Sequence, residues 1–567
     1  MMSTLNRRKF LLTGAAVLGA SAVAGGVAWW YRGRGMPPAA METSPHAAGE
    51  FRNPLLLPGS SGVLGVLDVS APLTIAAKSA QHAILEGKPA PLLVYEVEQD
   101  GNYWLNPVLR MRSGATFRAR LSNALDESTI IHWHGLKVDG RNDAHPSFAI
   151  AASAAYDYEF QVPNRAGTYW YHPHPHKLTA KQAYLGLASF FIVEDDEELA
   201  LQKALDLKLG VTDIPLVIQD KTFDDHGRLV YTPSDEEQVN GYVGDTVLVN
   251  LTPRPYFNAA TRLYRFRILN GSNARVYRLA FTRGGFQLVF AVIGTDGGLL
   301  ERPYPVKEAF LAPGERLDVL LDLSSATAGD AVTLQSLAFD PMHAEGGMAH
   351  MPMGEGAKDQ KSEAPDPHAG MAMSGTPPGG HASMAPAHGA MLPDGAAIDL
   401  MRINVTSRTV YEQRVPAALS TLARIRAVDA KPREFLLDIK DGRWRINGET
   451  FEMKKTPVTV PRGAKEIWEI HNDKTSMPHP MHLHGVPFRV VSRSGSPQQV
   501  EPGAVNEQGL TATDLGWKDT VLLWPGETAR LAVDFSHPYP GDQVYLFHCH
   551  NLEHEDQGMM INIKVQG

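Results

Sequence analysis

The chain has 567 residues, of which 43% are hydrophobic and 20% are charged. A chain of this length predicts more than one domain, at about 100–200 residues each, and it can bury a large core. Its formal net charge of −9 argues against nucleic acid as a partner, because binding to the phosphate backbone depends on clustered basic residues.

Residues 1–35 predict a twin-arginine export signal. Arg7 and Arg8 stand before an uncharged, Gly/Ala-rich run from Phe10 to Trp30, a pattern typical of such signals. The run is long enough to cross a bilayer, which takes about 20 residues. An uncleaved membrane anchor is therefore the alternative, but the weak hydrophobicity of the run favours a signal. We expect the twin-arginine machinery to export the protein to the periplasm or elsewhere outside the cytoplasm.

Strand signals dominate the rest of the chain, as short alternating runs rich in Val, Ile, Tyr and Phe that are separated by Pro and Gly. Two patterns recur three times in the same order. An alternating strand ends at Asn123, Asn270 and Asn472, and a strand, a Gly-containing turn and a second strand follow each time. This repetition predicts an all-β chain built from three copies of a β-sandwich unit.

A segment of different composition, residues 341–391, interrupts the repeat. The interval from Asn123 to Asn270 is 147 residues and that from Asn270 to Asn472 is 202, which falls to 151 without these 51 residues. The segment holds 8 of the 19 Met and 5 of the 22 His but lacks the alternating pattern of a packed core. We predict a flexible insertion in or beside the third unit. Because thioether sulfur selects Cu(I) and imidazole also suits copper, we expect it to collect copper.

Four histidine-rich stretches, two in the first unit and two in the last, carry the chemistry: HWHG, YHPHPH, HPMHLHG and HCHNLEHEDQGMM. Each holds a His-x-His pair, and because side chains alternate along a strand, both histidines of a pair face one side. We expect the pairs to converge on one site for several metal ions. The eight residues are His132, His134, His172, His174, His482, His484, His548 and His550.

Cys549 is the only cysteine of the chain, so it has no partner for an internal disulfide. The same alternation turns it away from its two neighbouring histidines and predicts that it binds a different metal. Its expected co-ligands are His479, His554 and Met559. Two imidazoles, a thiolate and a weak axial thioether are typical of a blue-copper electron-transfer site. The thiolate would connect that site covalently to the histidine cluster, where the electrons could reduce O₂.

With these stretches in this order, the chain resembles the multicopper oxidases over nearly its whole length after the signal segment. Within that family it looks most like the bacterial periplasmic copper efflux oxidase, a cuprous oxidase. The resemblance implies three consecutive cupredoxin-like Greek-key domains, the second without copper ligands. Their expected boundaries are residues 50–196, 206–340 and 392–567.

The resemblance also implies four copper ions with assigned ligands. A type 1 copper would be held by His479, Cys549, His554 and Met559. A type 2 copper would be held by His132 and His482. A type 3 pair would be held by His134, His172, His174, His484, His548 and His550.

Two carboxylates match acidic residues of the family. Reduction of O₂ to water consumes protons, so acids beside the cluster are needed. Asp143, eleven residues after His132, matches the acid near the type 2 copper, and Glu555, directly after His554, matches the acid on a proton route to the type 3 pair. The resemblance implies catalytic roles for both, and a solvated loop carboxylate is the alternative for each.

The family's efflux oxidase has a substrate Cu(I) site with Met and Asp ligands. Met477, two residues before His479, matches one such Met. The Asp expected two residues before that Met is Thr475 here, and Asp473 stands two positions further away. The chain departs from the family's pattern at this position.

We therefore expect an exported, monomeric oxidase that takes electrons singly, with O₂ as the acceptor and Cu(I) as the donor, and that confers copper tolerance. Laccase-like oxidation of phenolic or other organic donors is the alternative enzyme function. A copper-sequestering protein is the alternative outside enzymes. A fold that has lost its metals, as in a bacterial division protein of this family, is disfavoured because all twelve ligand positions are filled.

Overall fold

The computed structural model describes residues 50–342, 392–425 and 431–567. The expected export signal lies outside these residues, as does all of the expected insertion after Met342. Strands dominate the described chain and form six sheets. Within the described ranges, no helix is long and apolar enough to span a bilayer. The four α-helices among the described residues are α1 (Thr179–Tyr184), α2 (Asp196–Leu205), α3 (Asp235–Asn240) and α4 (Leu552–Asp556).

The first sandwich packs a six-stranded sheet, in the order β10-β8-β4-β5-β6-β2, against a five-stranded sheet, β3-β7-β12-β11-β9. The first strands of the chain are β1 (Asn53–Pro54), β2 (Gly62–Val63), β3 (Val66–Asp68), β4 (Leu73–Leu85), β5 (Lys88–Gln99), β6 (Asn102–Leu105), β7 (Val108–Arg112), β8 (Thr116–Asn123), β9 (Ile131–His132), β10 (Ala155–Gln161), β11 (Gly167–Pro173) and β12 (Ser189–Glu194).

The middle sandwich packs two seven-stranded sheets, one of which has the order β15-β14-β13-β17-β23-β20-β21. The other has β1-β16-β25-β24-β18-β19, with β22 paired to β18. The strands are β13 (Asp213–Lys221), β14 (Thr246–Val249), β15 (Thr252–Pro253), β16 (Pro255–Ala260), β17 (Leu263–Asn270), β18 (Tyr277–Arg283), β19 (Phe286–Gln287), β20 (Phe290–Thr295), β21 (Gly298–Val306), β22 (Glu308–Leu311), β23 (Arg316–Asp322), β24 (Ala331–Ser336) and β25 (Ile398–Ser407).

The third sandwich packs two five-stranded sheets, in the orders β27-β26-β29-β33-β31 and β28-β35-β34-β30-β32. Its strands are β26 (Arg433–Lys440), β27 (Arg443–Ile446), β28 (Val458–Pro461), β29 (Lys465–Asn472), β30 (His479–Leu483), β31 (Phe488–Ser494), β32 (Thr520–Leu523), β33 (Thr528–Asp534), β34 (Gln543–Cys549) and β35 (Met560–Gln566). Three consecutive β-sandwiches confirm the predicted fold class.

The repeated asparagines have one structural role in all three units. Strands β8, β17 and β29 end at Asn123, Asn270 and Asn472. Each side-chain amide donates to two backbone carbonyls, one of them four or five residues further along the chain and the other on a distant strand or loop. These contacts satisfy buried backbone oxygens and fix the turn that follows the strand.

Strand β25 corrects the expected place of the insertion. Its residues, Ile398–Ser407, pair with β24 and β16 of the middle sandwich, whereas the boundary at residue 392 assigns them to the third domain. Residues 343–391 therefore lie in the connection from β24 to β25, within the middle unit. The shift in composition marks an insertion, but it carries no information on which strand pair the insertion joins. The other domain boundaries stay predictions.

A buried charge network joins the first and middle sandwiches. Arg265 and Arg267 of β17 both donate to Asp213 of β13 and to Glu198 of α2. All four side chains are at most 2% exposed. Such charges are stable in a dry interior only while each keeps its partners.

Asp213→Asn should destabilise the protein by about 3–5 kcal/mol, because it leaves two buried guanidinium groups with one carboxylate fewer. The measurement is the midpoint of thermal unfolding. Glu159→Gln is the control, since it breaks the exposed Arg118–Glu159 pair and should cost no more than about 1 kcal/mol. Equal shifts for the two variants would contradict a structural role for this network.

Candidate metal centre

Each of the four His-x-His pairs stands where a strand ends. Strand β9 ends at His132, which lies opposite His172 of β11. In the third sandwich, β30 and β34 place His482 opposite His548 in the same way. The second histidine of every pair follows the first by two residues in the chain. The first and third sandwiches therefore each present four imidazoles at the ends of two neighbouring strands.

The structure brings all eight imidazoles into one buried cluster between these two sandwiches. None of the rings is more than 1% exposed. The ring of His132 stacks on that of His484 with centroids 3.8 Å apart, and His134 stacks on His482 at 3.7 Å. The ring of His174 reaches within 4.9 Å of His484. The first and third units thus share the site, and neither holds a complete one.

Five of the rings point Nδ1 away from the centre, at oxygen acceptors. The contacts are His132 to Asp143 O (3.3 Å), His172 to Pro173 O (2.9 Å), His482 to Asp519 O (2.8 Å), His484 to Asp143 Oδ2 (3.2 Å) and His548 to Cys549 O (3.0 Å). An imidazole that donates from Nδ1 carries its lone pair on Nε2. The outer contacts therefore select the tautomer whose inward nitrogen can bind a cation.

The inward nitrogens fit metal ions. The Nε2 atoms of His132 and His482 are 3.2 Å apart, and those of His484 and His548 are 3.0 Å apart. Lone pairs that face each other at this distance repel unless a cation binds them. Both ring nitrogens of His550 are buried without a hydrogen-bond partner among the described residues. Burial lowers the pKa of His132, His484, His548 and His550 well below its usual value, which favours the neutral form that ligates metal.

Asp143 and Glu555 contact different rings of this cluster. An oxygen of Asp143 is 3.2 Å from His484 Nδ1 and another is 3.5 Å from His132 Nδ1. The Glu555 oxygens are each 3.3 Å from a ring nitrogen, one from His174 Nε2 and one from His548 Nδ1. Burial raises the pKa of both carboxyl groups well above the ordinary range. Neither is the solvated loop carboxylate that was the alternative.

Cys549 has a separate set of neighbours. Its Sγ is 3.4 Å from Nδ1 of His479 and 3.5 Å from Nδ1 of His554. The far nitrogens of these rings bind Ser476 Oγ at 2.9 Å and Val239 O at 2.8 Å. Both Nδ1 atoms are therefore available to a metal beside the sulfur. Burial raises the pKa of the thiol, and a bound cation would offset that effect, because the metal-binding form is the thiolate.

Met559 completes this group through the backbone. The N–H of Cys549 donates to Met559 O at 3.0 Å, and the N–H of Met559 donates to His554 O at 2.8 Å. Met559 is fully buried and belongs to the same hydrophobic cluster as Cys549. The N–H of Asn551 lies 3.4 Å from Sγ. The donor set is two imidazoles, a thiol and a nearby thioether, which suits copper.

Met477 and its neighbours do not form an open site. Met477 is 7% exposed and packs in the core cluster that includes Cys549 and Met559. Asp473 accepts hydrogen bonds from the N–H and the hydroxyl of Thr475 at 2.8 and 2.6 Å. The carboxylate of Asp473 is thus hydrogen-bonded to Thr475 within its own turn.

Several residues around the two groups carry no recognisable sequence signal. Asp519 and Thr520 contact His134 Nε2 at 3.0 and 3.2 Å. Ser476 and Val239 hold the outer nitrogens beside Cys549. They are single polar side chains or backbone groups in ordinary strand and turn sequence, so only the tertiary arrangement identifies them.

Comparison with known proteins places these residues in a family. Models described as multicopper oxidase match residues 89–198 and 415–567. The multicopper oxidase Mco of Staphylococcus aureus is 31% identical over 495 residues, which cover 87% of this chain and 88% of that protein. A laccase of Bacillus subtilis is 31% identical over 76% of this chain and 78% of its own. The crystal structure of the McoA multicopper oxidase of Aquifex aeolicus matches with a TM-score of 0.75 at 38% identity, covering 91% of this chain and all of that one.

Proposed function

Because the chain belongs to the multicopper oxidase family, it is a copper-dependent oxidoreductase, and we propose that it oxidises Cu(I) to Cu(II) and reduces O₂ to water. It would act outside the cytoplasm and confer copper tolerance. The observation that carries the proposal is a full set of twelve donor residues, buried in two groups that Cys549 links. Phenolic or other organic compounds are the second candidate donors, supported by the similarity to a laccase.

Four copper ions would occupy the two groups, with the residues divided as the family pattern implies. The Cys549 group would hold one copper and the eight imidazoles would hold three. When bound, the coppers accept electrons one at a time from the donor and together transfer four to O₂. The chain's own contribution is to hold neutral imidazoles and a thiolate in fixed orientation and to exclude bulk water from them.

Cys549 gives the two groups a short covalent connection. Its side chain belongs to one group, and the residues bonded to it on either side, His548 and His550, belong to the other. Along the chain, the two groups are therefore joined by single peptide bonds at the end of β34. The alternation of side chains in β34 thus assigns adjacent residues to two functions.

Glu555 and Asp143 would supply protons to the cluster. Glu555 faces His174 and His548, and its Oε2 has no hydrogen-bond partner among the described residues. Asp143 Oδ1 is likewise without one. A buried carboxyl group beside a reacting site can hold a proton and release it there. Because the two acids contact different imidazoles, they would deliver protons at different positions of the cluster.

The proposal that Cu(I) is the electron donor rests on the methionines of the sequence, whose thioether sulfurs are soft ligands. Residues 343–391 contain seven of the methionines, and Met342, just before them, packs against the core that holds Cys549, Met477 and Met559. Thioether sulfur prefers Cu(I). A methionine-rich segment that begins against the core of the third sandwich would bring Cu(I) to the domain that holds Cys549.

Cys549→Ser should remove the intense visible absorption that thiolate bonding to copper produces, and it should stop oxidation of every donor. The hydroxyl is a poor copper ligand, and it breaks the connection between the groups. Visible spectra and O₂ uptake with Cu(I) test this, together with the copper content of the purified protein. A blue variant would contradict the assignment of Cys549. A wild-type protein that binds copper without consuming O₂ would instead support sequestration.

Glu555→Gln should lower turnover by about 10²–10⁴-fold, because general acid catalysis typically contributes that much. Copper content and visible absorption should stay unchanged, since Glu555 is not placed as a ligand. O₂ uptake at saturating donor measures the effect. Glu159→Gln, which removes the exposed partner of Arg118, is the control. An active Glu555→Gln variant would overturn the proton-supply role.

Deleting residues 343–391 should slow oxidation of Cu(I) and leave oxidation of a phenol unchanged. The deletion is geometrically mild, because Phe339 N–H already donates to Gly395 O across it. A matched variant keeps the length and replaces the seven methionines by leucine. O₂ uptake with each donor is measured for both variants. If Cu(I) oxidation survives both changes, the segment does not supply the donor and the laccase alternative gains support.

A further inference from the structure

The middle sandwich holds no expected ligand, yet one of its turns contacts the cluster. The turn joins β22 to β23 and contains Gly314, whose φ is +83°. A Cβ at this position would lie 2.9 Å from the ring of His550, so only glycine allows the backbone to approach so closely. Arg316, the first residue of β23, extends from the same turn.

The side chain of Arg316 contacts all three sandwiches. Its Nε donates to Thr168 O of the first unit at 2.9 Å. Its terminal nitrogens donate to Gly314 O at 2.8 Å and Asp296 O at 3.0 Å in the middle unit. They also form a two-pronged bond to both carboxylate oxygens of Asp519 in the third unit. Arg316 is 1% exposed and Asp519 3%.

Asp519 in turn contacts His134, whose two ring nitrogens are placed the opposite way round from those of the five rings that point Nδ1 outward. The Nε2 of His134 lies 3.0 Å from Asp519 Oδ1, and its Nδ1 faces His172 Nε2 at 3.4 Å. The hydroxyl of Thr520 donates to the same Asp519 oxygen at 2.9 Å. The backbone oxygen of Asp519 accepts from His482 Nδ1. One residue therefore orients two imidazoles of the cluster.

We propose that Asp519 and Arg316 are positioning residues, which fix the tautomer and ring orientation of His134 so that Nδ1 faces the metal cluster. The inference rests on the proposed copper sites. An acceptor on Nε2–H keeps the proton there and makes Nδ1 a stronger donor. In this proposal Asp519 acts as an outer partner, because Oδ1 accepts from Arg316 and Thr520 and Oδ2 accepts from Arg316.

The geometry also explains why the acceptor is a carboxylate locked by arginine. The Nδ1 atoms of His132, His172, His482 and His548 face backbone oxygens. His134 instead lies in a turn just after β9, and its Nε2 meets the Asp519 carboxylate and the Thr520 hydroxyl. A planar guanidinium fork fixes the carboxylate plane better than lysine can. The pair thereby couples the packing of the middle unit to the orientation of a ligand.

Asp519→Asn should weaken copper binding by the histidine cluster about 10–100-fold, the usual cost of losing an outer partner of a metal-bound histidine. The copper-loaded protein is dialysed against increasing chelator. Copper per chain, the paramagnetic resonance of the type 2 copper and the near-ultraviolet absorption of the type 3 pair are followed. The visible absorption from Cys549 should persist at chelator concentrations that empty the cluster. Arg316→Lys keeps the charge but not the fork and should give a smaller effect in the same signals.

Asp514→Asn is the matched control. Asp514 also receives two bonds from a buried arginine, Arg493, and it contacts no expected ligand. This control should leave the order in which the signals disappear as in the wild type. Two outcomes would overturn the inference: cluster signals unchanged in Asp519→Asn, or simultaneous loss of all signals including the Cys549 absorption, as general destabilisation would produce. A wild-type protein without any cluster signal would instead refute the proposed function.

Discussion

The burial of eight imidazoles in one place is the constraint on which the rest of the structure depends. Each ring has two nitrogens, and in a dry site both need a partner. Oxygen acceptors outside the cluster bind one nitrogen of most rings, and the other nitrogens face one another at the centre. The contacts of 3.0 and 3.2 Å between opposed Nε2 atoms bring together two pairs of lone pairs that bound cations would stabilise. Metal binding and the packing of the first and third sandwiches are thus one process.

Most of the outer acceptors are backbone oxygens, which gives the fold itself control of the metal site. Pro173 O, Cys549 O and Asp519 O each stand beside the histidine they hold because strand geometry puts them there. The same geometry separates Cys549 from His548, although they are adjacent in the chain. The alternation of side chains along β34 is enough to direct Cys549 and His548 to different groups.

Sequence reasoning predicted the parts of this arrangement that depend on local periodicity. The strand alternation predicted the triplicated sandwich, and the His-x-His spacing anticipated that four pairs would meet. It could not assign residues 343–391 to a unit, because the composition of this segment does not indicate that the strands before and after it, β24 and β25, pair with each other. It also missed Asp519, Arg316 and Val239. Each of these acts through a contact with a different sandwich, and no spacing within one segment reveals such a contact.

The middle sandwich is the unit whose role changes most when the contacts are known. Its sequence has no histidine pairs, which suggested a purely structural element. Yet Val239 O binds the outer nitrogen of His554, and Trp444 Nε1 also donates to that oxygen. At the other group, Gly314 lies against His550, and Arg316 reaches Asp519. The middle unit therefore contacts both metal groups from outside, through a helix end at one and a turn at the other. A change in how the middle unit packs would therefore alter the orientation of donor side chains in both groups.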